Sequence, residues 1–140
     1  MFQNKLTTIE KVIFLNSVDI FAQATVDQLG QIAGLTEEVQ LEPGQLIFRE
    51  GEPGEALYLL ISGRALLQKN GEPVSEIGER EPLGTLGVLD FHPRFYTATA
   101  IDHVHALKLN ARDFHDLLSL DIEIVKAVFK VLCRRLREGR

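Results

Sequence analysis

A chain of 140 residues with a hydrophobic fraction of 45% and a charged fraction of 25% has the balance of one globular domain, which excludes a disordered or fibrous class. The formal net charge of −5 gives no overall pull toward nucleic acid or anionic membrane and leaves only local basic patches open. The single cysteine, Cys133, excludes an internal disulfide and an all-cysteine metal site within one chain, and predicts a reduced thiol in a cytoplasmic protein.

No run approaches the roughly 18–20 apolar residues that a membrane-spanning helix needs. The amino terminus does not read as a signal peptide, because the apolar run 12–15 is short and Glu10 and Lys11 precede it. Helical signals come first. Thr7-Thr8-Ile9-Glu10 has the spacing of a capping box and leads into Ile9, Val12, Ile13 and Leu15. Thr25-Val26-Asp27-Gln28 repeats the device ahead of Val26, Leu29, Ile32 and Ala33, with Val18, Ile20 and Phe21 as a short apolar link between the two helices.

From Glu37 to Leu109 the period changes to two. Val39 and Leu41 alternate with polar residues, Pro43-Gly44 turns the chain, and Leu46-Ile47-Phe48 is a short strand. Residues 49–54, with Gly51, Pro53 and Gly54, form a loop. Residues 56–61 have the near-continuous apolar composition of a buried strand; Gly63 interrupts it and 64–69 follows. Asn70-Gly71 signals a hairpin, since a type I′ turn needs positive φ at both central residues, and Val74 and Ile77 lie on the return strand. Further strands are predicted at 96–100 and 103–109. Asn110 and Asp121 cap two closing helices, and Lys130, Arg134, Arg135 and Arg137 suit the negative pole of the last one. Many short strands between glycine turns, with helices at both ends, predict a mainly β fold with flanking helices, a β-sandwich or a jelly roll.

Candidate chemistry is sparse. His103-Val104-His105 has the look of a metal-binding pair, but Ala106-Leu107-Lys108-Leu109-Asn110 brings no carboxylate and His115 falls on a predicted helix, so two strand histidines without a metal are expected. Cys133 stands mid-helix beside Leu132 and Leu136, which predicts a buried or interfacial thiol rather than a nucleophile. No paired carboxylates, nucleophile elbow or P-loop appears, so the sequence predicts no catalytic residue, no metal, no required cofactor and no enzyme.

Leu15-Asn16-Ser17-Val18-Asp19-Ile20-Phe21, then Pro43-Gly44-Gln45-Leu46-Ile47-Phe48-Arg49-Glu50-Gly51-Glu52-Pro53-Gly54, then Tyr58-Leu59-Leu60-Ile61-Ser62-Gly63, resemble in order and spacing the cyclic-nucleotide-binding domain family, over roughly residues 8–138. The resemblance implies a double-stranded β-helix, or jelly roll, of that family's type: one domain over 1–140, with opening helices at 7–35, the roll at 37–109 and closing helices at 111–138. It also implies a regulatory, ligand-sensing function in the cytoplasm.

Within this span, Leu83-Gly84-Thr85-Leu86-Gly87-Val88-Leu89-Asp90-Phe91-His92-Pro93-Arg94 is similar to the family's phosphate-binding cassette. There a glycine-glutamate pair opens a short helix whose free N–H groups hold the cyclic phosphate, and an arginine adds a charge-assisted contact. The resemblance thus implies a ligand site of Gly84, Thr85, Leu86, Gly87, Arg94 and Phe95, with cyclic AMP or cyclic GMP as ligand and Arg94 on the phosphate. Thr85 departs from the family's glutamate, which accepts from the ribose 2′-hydroxyl, and losing such a charged hydrogen bond costs about 1.5–3 kcal/mol. Arg80 stands where a turn glycine is common, and Phe95 and Tyr96 where the family has small residues. If that segment is extended, Tyr96 shares a face with Arg94 and plugs part of the pocket. Together the departures imply a cassette that is weakened, altered in specificity or closed. The plain alternative makes Arg94 a surface residue paired with Asp90 and Thr85 a helix cap, and the chain a degenerate, non-binding module for protein interaction or dimerisation.

On the last helix Ile122, Val125, Val128, Phe129, Leu132 and Leu136 form an apolar stripe, widened by Ile124 and Val131. In the family this helix relays ligand occupancy as a lid or a dimer seam, so the resemblance implies a homodimer through it, with packing on its own barrel as the alternative. DNA-binding members of the family append a helix-turn-helix, which this sequence lacks. It is therefore expected to act through protein contacts or as part of a larger regulated protein.

Overall fold

Threonine hydroxyls start the first two helices. Thr7 accepts from the Glu10 amide at 3.1 Å while the Glu10 carboxylate accepts from the Thr7 amide at 2.8 Å, which opens α1 (Thr8–Asn16). Thr25 and Gln28 repeat the box at the start of α2 (Val26–Ala33). The structure is a computed structural model that describes residues 5–139; the ends of the span 1–140, residues 1–4 and 140, lie outside the described residues. The apolar link between the helices is itself helical: Asp19–Phe21 is one turn of 3₁₀ helix that buries Ile20 and Phe21.

The middle of the chain forms β1 (Thr36–Leu41), β2 (Leu46–Phe48), β3 (Ala56–Ser62), β4 (Ala65–Lys69), β5 (Glu72–Ile77), β6 (Pro82–Leu83), β7 (Thr97–Ala100) and β8 (Val104–Asn110). A short helix, α3 (Thr85–Asp90), separates β6 from β7, and α4 (Ala111–Leu120) and α5 (Ile122–Arg137) close the chain. The strands make two antiparallel four-stranded sheets, ordered β1-β8-β3-β6 and β2-β7-β4-β5. This is the expected mainly β roll with helices on its flanks. At the β4–β5 hairpin Asn70 and Gly71 both carry positive φ, 53° and 80°. Two residues of β6 are too few to show a period, and the strand exists because Tyr58 and Leu59 of β3 pair with Leu83 and Pro82.

Two cores explain the continuous apolar runs of β3 and β8, which are buried on both faces. Leu57, Leu59, Leu107 and Leu109 face the helices and pack with Leu15, Phe21, Leu29, Ile32, Phe114, Ile124, Val128 and Val131. Leu60, Val104 and Ala106 face the inside of the roll with Leu41, Phe48, Leu67, Leu83 and Ala98.

On α5 the expected stripe divides. Ile124, Ala127, Val128 and Val131 are buried at i, i+3, i+4 and i+7, whereas Ile122, Phe129 and Leu136 are 61%, 61% and 77% exposed. Ile124 and Val131, expected only to widen the stripe, dock together with Val128, because Phe21 and Phe114 lie on that side. Cys133 is exposed rather than buried, since two residues past Val131 is roughly 200° around the helix.

The turn between β7 and β8 is fastened by Asp102, whose carboxylate accepts from the Arg64 amide at 2.7 Å and from Arg64 Nε at 3.4 Å. The amide first, and then the guanidinium, hold the Asp102 carboxyl below its ordinary value of 3.8. A depressed folded pKa contributes stability above the unfolded value, and that stability is lost as pH falls through the folded one. Asp102→Asn is therefore expected to lower Tm by a few degrees at neutral pH and by almost nothing at about pH 2, below the carboxylate range. Thermal melts at both pH values check this; an equal loss at both would show that the carboxylate's charge is not what holds the turn.

Candidate functional site

Arg94 is set by the loop that follows β2. Its amide donates to Glu52 O at 2.7 Å and its carbonyl accepts from the Gly51 amide at 2.8 Å, so the residue is stitched in place before β7 begins. The side chain runs inward and the residue is 6% exposed. Nη2 donates to Ala56 O at 2.6 Å, Nη1 reaches Gly84 O at 3.5 Å, and the guanidinium carbon lies 4.0 Å from the centroid of the Phe48 ring. Nε is buried with no hydrogen-bond partner. Burial lowers the Arg94 pKa, while Tyr58, Glu55 and Glu52 pull it the other way. The plain alternative of a surface arginine paired with Asp90 does not hold, because Arg94 is inside and the Asp90 carboxylate accepts from the His92 amide at 3.0 Å. A buried cation with an idle donor leaves an unmet demand for an acceptor, and an anion meets it best.

Facing it, Gly84 takes φ +93° as the cap residue of α3. A Cβ there would run into Arg94 Nη1 and crowd Ala56 O at 3.4 Å, so glycine is required both by conformation and by space. Thr85 is the first residue inside α3 rather than its cap, and it is buried. The Val88 amide returns to Gly84 O at 3.3 Å, whereas the amides of Thr85, Leu86 and Gly87, in the first turn, have no carbonyl to reach within the helix. Arg80 carries φ +67°, so the backbone does turn left-handed where the resemblance places a glycine, at a cost of about 1–2 kcal/mol.

Gly84, Thr85, Leu86, Gly87, Arg94, Phe95 and Tyr96 all line one cavity of about 1050 Å³. Tyr96 is half-buried in its wall, edge-on to Phe95 with ring centroids 4.8 Å apart, and a cavity of that volume remains beside it. Phe95 is exposed under Lys69 Nζ, 4.0 Å from the ring centroid, and Glu50 holds that lysine at 2.9 Å. Sequence reasoning missed lining residues from distant segments, among them Phe48, Leu67, Ile77, Ser17, Asp19 and Arg135. Arg135 donates to Asp19 at 2.5 and 3.3 Å, joining the last turns of α5 to the 3₁₀ turn at the cavity edge. No local signal marks a pair so far apart in the chain.

His103, His105 and His115 lie outside the cavity, which His92 lines. His105 Nε2 is 2.8 Å from the carboxylate of Glu38, whose side chain is buried, and His103 Nε2 is 3.9 Å from Glu42. His115 Nε2 donates to Val88 O at 2.7 Å and its ring stacks on Phe91 at 4.2 Å, tying α3 to α4. Among the described residues no helix is long and apolar enough to cross a membrane.

Two four-stranded sheets rolled over one interior, with helices before and after and a cavity beside the inserted helix, define a jelly-roll module. Residues 38–121 match the cyclic nucleotide-binding domain, and the chain belongs to that family. It is 32% identical over 114 residues to the CRP-like cAMP-activated global transcriptional regulator of Mycobacterium tuberculosis, covering 76% of this chain and 51% of that protein. It is 33% identical over 107 residues to the cAMP-dependent protein kinase regulatory subunit of Emericella nidulans, covering 75% of this chain and 26% of that one. The N-terminal domain of a transcriptional regulator from Streptomyces coelicolor A3(2) has the same fold, with a TM-score of 0.81 and 29% identity over 91% of this chain and 94% of that domain. The chain thus spans about half the length of the first relative and a quarter of the second.

Proposed function

We propose that the chain is a non-catalytic regulatory sensor of the cytoplasm that binds a cyclic nucleotide beside Arg94. The observation that supports this best is that Arg94, a buried cation whose Nε has no hydrogen-bond partner, lines the cavity. In this reading the phosphate oxygens accept from Arg94 and from the first-turn amides of α3 next to Gly84, with Leu86, Gly87 and Phe95 around the ligand. The hydroxyl of Thr85 meets the ribose more weakly than a carboxylate would, so the cassette is degenerate at that point, and Tyr96 narrows the cavity without closing it. Cyclic AMP is the first ligand to test, since two relatives are named as cAMP-activated and cAMP-dependent; cyclic GMP is the second. No further cofactor is required. Occupancy reaches α5 through the Asp19–Arg135 pair at the cavity edge. Titration calorimetry of the purified chain with cyclic AMP, cyclic GMP and cyclic dinucleotides tests the reading. Saturable heat with a mononucleotide is the expected result, and no heat at millimolar ligand overturns it.

A second observation favours association. Ile122, Val125, Phe129, Leu132 and Leu136 are spaced three, four, three and four apart, the pattern of a two-helix seam, and none of them is buried. In this reading α5 pairs with its counterpart in a second copy, either as the sensor's output or as the whole function of a non-binding module within a larger regulated protein. In light scattering, Phe129→Glu is expected to turn a dimer into a monomer that still melts cooperatively, with a Tm that no longer rises with protein concentration. A wild-type chain that is monomeric at high micromolar concentration removes the seam.

A further inference from the structure

We propose that Phe48 is the positioning residue for Arg94: its ring is the platform that fixes the guanidinium at the wall of the cavity that both residues line. This deepens the reading of the cavity as an anion site and rests on it. Three restraints act on that guanidinium. Two are hydrogen bonds to Ala56 O and Gly84 O, the second of them long at 3.5 Å. Both oxygens hold the Nη ends, and neither stops the plane from rolling about the line that joins them. The third is the Phe48 face, 4.0 Å from the guanidinium carbon. A guanidinium carbon held over a ring face loses part of that freedom, because rolling away from the face forfeits the cation–π contact.

The fold places the ring deliberately. Phe48 ends β2 opposite Ala98 of β7, and the register slips between Leu46 and Phe48, the kind of irregularity that re-aims a side chain beside a site. From there the chain runs three residues to Gly51, whose amide is bonded to the Arg94 carbonyl. One short segment thus fixes both the backbone of Arg94 and the position of its guanidinium. Phe48 is itself held, being 8% exposed and packed against Tyr58 with ring centroids 6.4 Å apart. An aliphatic side chain of similar size would fill this space in the roll equally well. It would not present a flat, electron-rich face to a buried cation that has no carboxylate bonded to it.

Two substitutions separate stacking from filling. Phe48→Leu keeps an apolar side chain and removes the ring, whereas Phe48→Tyr keeps the ring. The first readout needs no ligand: the proton–nitrogen NMR signal of Arg94 Nε, assigned by its loss in Arg94→Lys. A sharp, slowly exchanging signal is expected in the wild type and in Phe48→Tyr, and a broadened or fast-exchanging one in Phe48→Leu, with both variants melting cooperatively. The second readout is calorimetry with cyclic AMP, where Phe48→Leu is expected to bind about tenfold more weakly and Phe48→Tyr as the wild type does. A protected Nε signal of unchanged shape in Phe48→Leu overturns the positioning role, whatever the affinity. If the wild type takes up no nucleotide, the reading of the cavity falls instead, and the Nε comparison alone decides what Phe48 does.

Discussion

Arg94→Met is expected to abolish nucleotide binding while leaving the free chain as stable as before. Methionine matches the length of the arginine stem and removes a cation that burial disfavours, so the desolvation cost of that charge disappears with it. Against this, Ala56 O and Gly84 O each lose a donor. Ala56 also lines a smaller cleft of about 240 Å³ that Arg94 lines too, and Gly84 lines the main cavity, so water can replace both donors. The two effects are of similar size, which places the change in stability within about 1 kcal/mol of zero. Binding has no such compensation. A phosphate that loses a charge-assisted partner gives up about 1.5–3 kcal/mol for each contact, or upwards of a hundredfold for two. The same logic predicts the behaviour of Tm. A ligand at about a hundred times its Kd adds about 2.7 kcal/mol to the wild type, a shift of several degrees, and adds nothing to Arg94→Met. Nucleotide-induced shifts of equal size in the two proteins would mean that Arg94 is not on the ligand.

How much of this was legible in the sequence depends on how local each signal is. The caps at Thr7, Thr25, Asn110 and Asp121 act within three residues, and all four sit at helix starts in the structure. The Asn70-Gly71 hairpin is local in the same sense. β6 and the 3₁₀ turn at Asp19–Phe21 carry no period of their own and are fixed by what they pair or pack with. The docking face of α5 could not be chosen from its sequence, because Ile124–Val131 and Ile122–Phe129 are both apolar, and only the position of Phe21 and Phe114 selects between them. The site divides along the same line. Gly84 to Arg94 is one contiguous segment, so a resemblance can mark it as a unit. Phe48 ends a three-residue strand that is apolar throughout, and nothing in that run says that it meets a guanidinium. Arg135 suits a helix dipole equally well with or without Asp19 beside it. The unfavourable left-handed backbone at Arg80 shows in the sequence only as a residue type out of place; its φ of +67° makes it physical.

Gly54→Ala is expected to damage both stability and binding, and the reason is where the added methyl lands. A Cβ at Gly54 would lie 2.7 Å from Gly87 O, 2.8 Å from the Gly87 carbonyl carbon and 3.1 Å from His92 O, and all three are backbone atoms. A side chain in the way can rotate. A backbone must move as a piece, and here the piece is α3, held to Gly84 O by the Val88 amide and to α4 by His115. The loop carrying Gly54 is equally tied, through Glu52 to the Arg94 amide. The methyl therefore pries the first turn of α3 away from the segment that anchors Arg94, and overpacking of this kind costs about 1–3 kcal/mol. The backbone at Gly54 is not left-handed, so by chain entropy alone alanine would stabilise by about 0.4–1 kcal/mol, and the sign of the measured change isolates the contact. Gly44→Ala is the complementary control. Gly44 has φ +84° and nothing within 4 Å of its added Cβ, and it lies in the turn between β1 and β2, so it suffers backbone strain alone. Its Tm should fall while its affinity for cyclic AMP stays that of the wild type, whereas Gly54→Ala should lose Tm and at least tenfold in affinity together. A Gly54→Ala chain that gains stability and binds normally would show that α3 yields freely at Gly87, and a helix start that loose cannot hold a phosphate in register with Arg94.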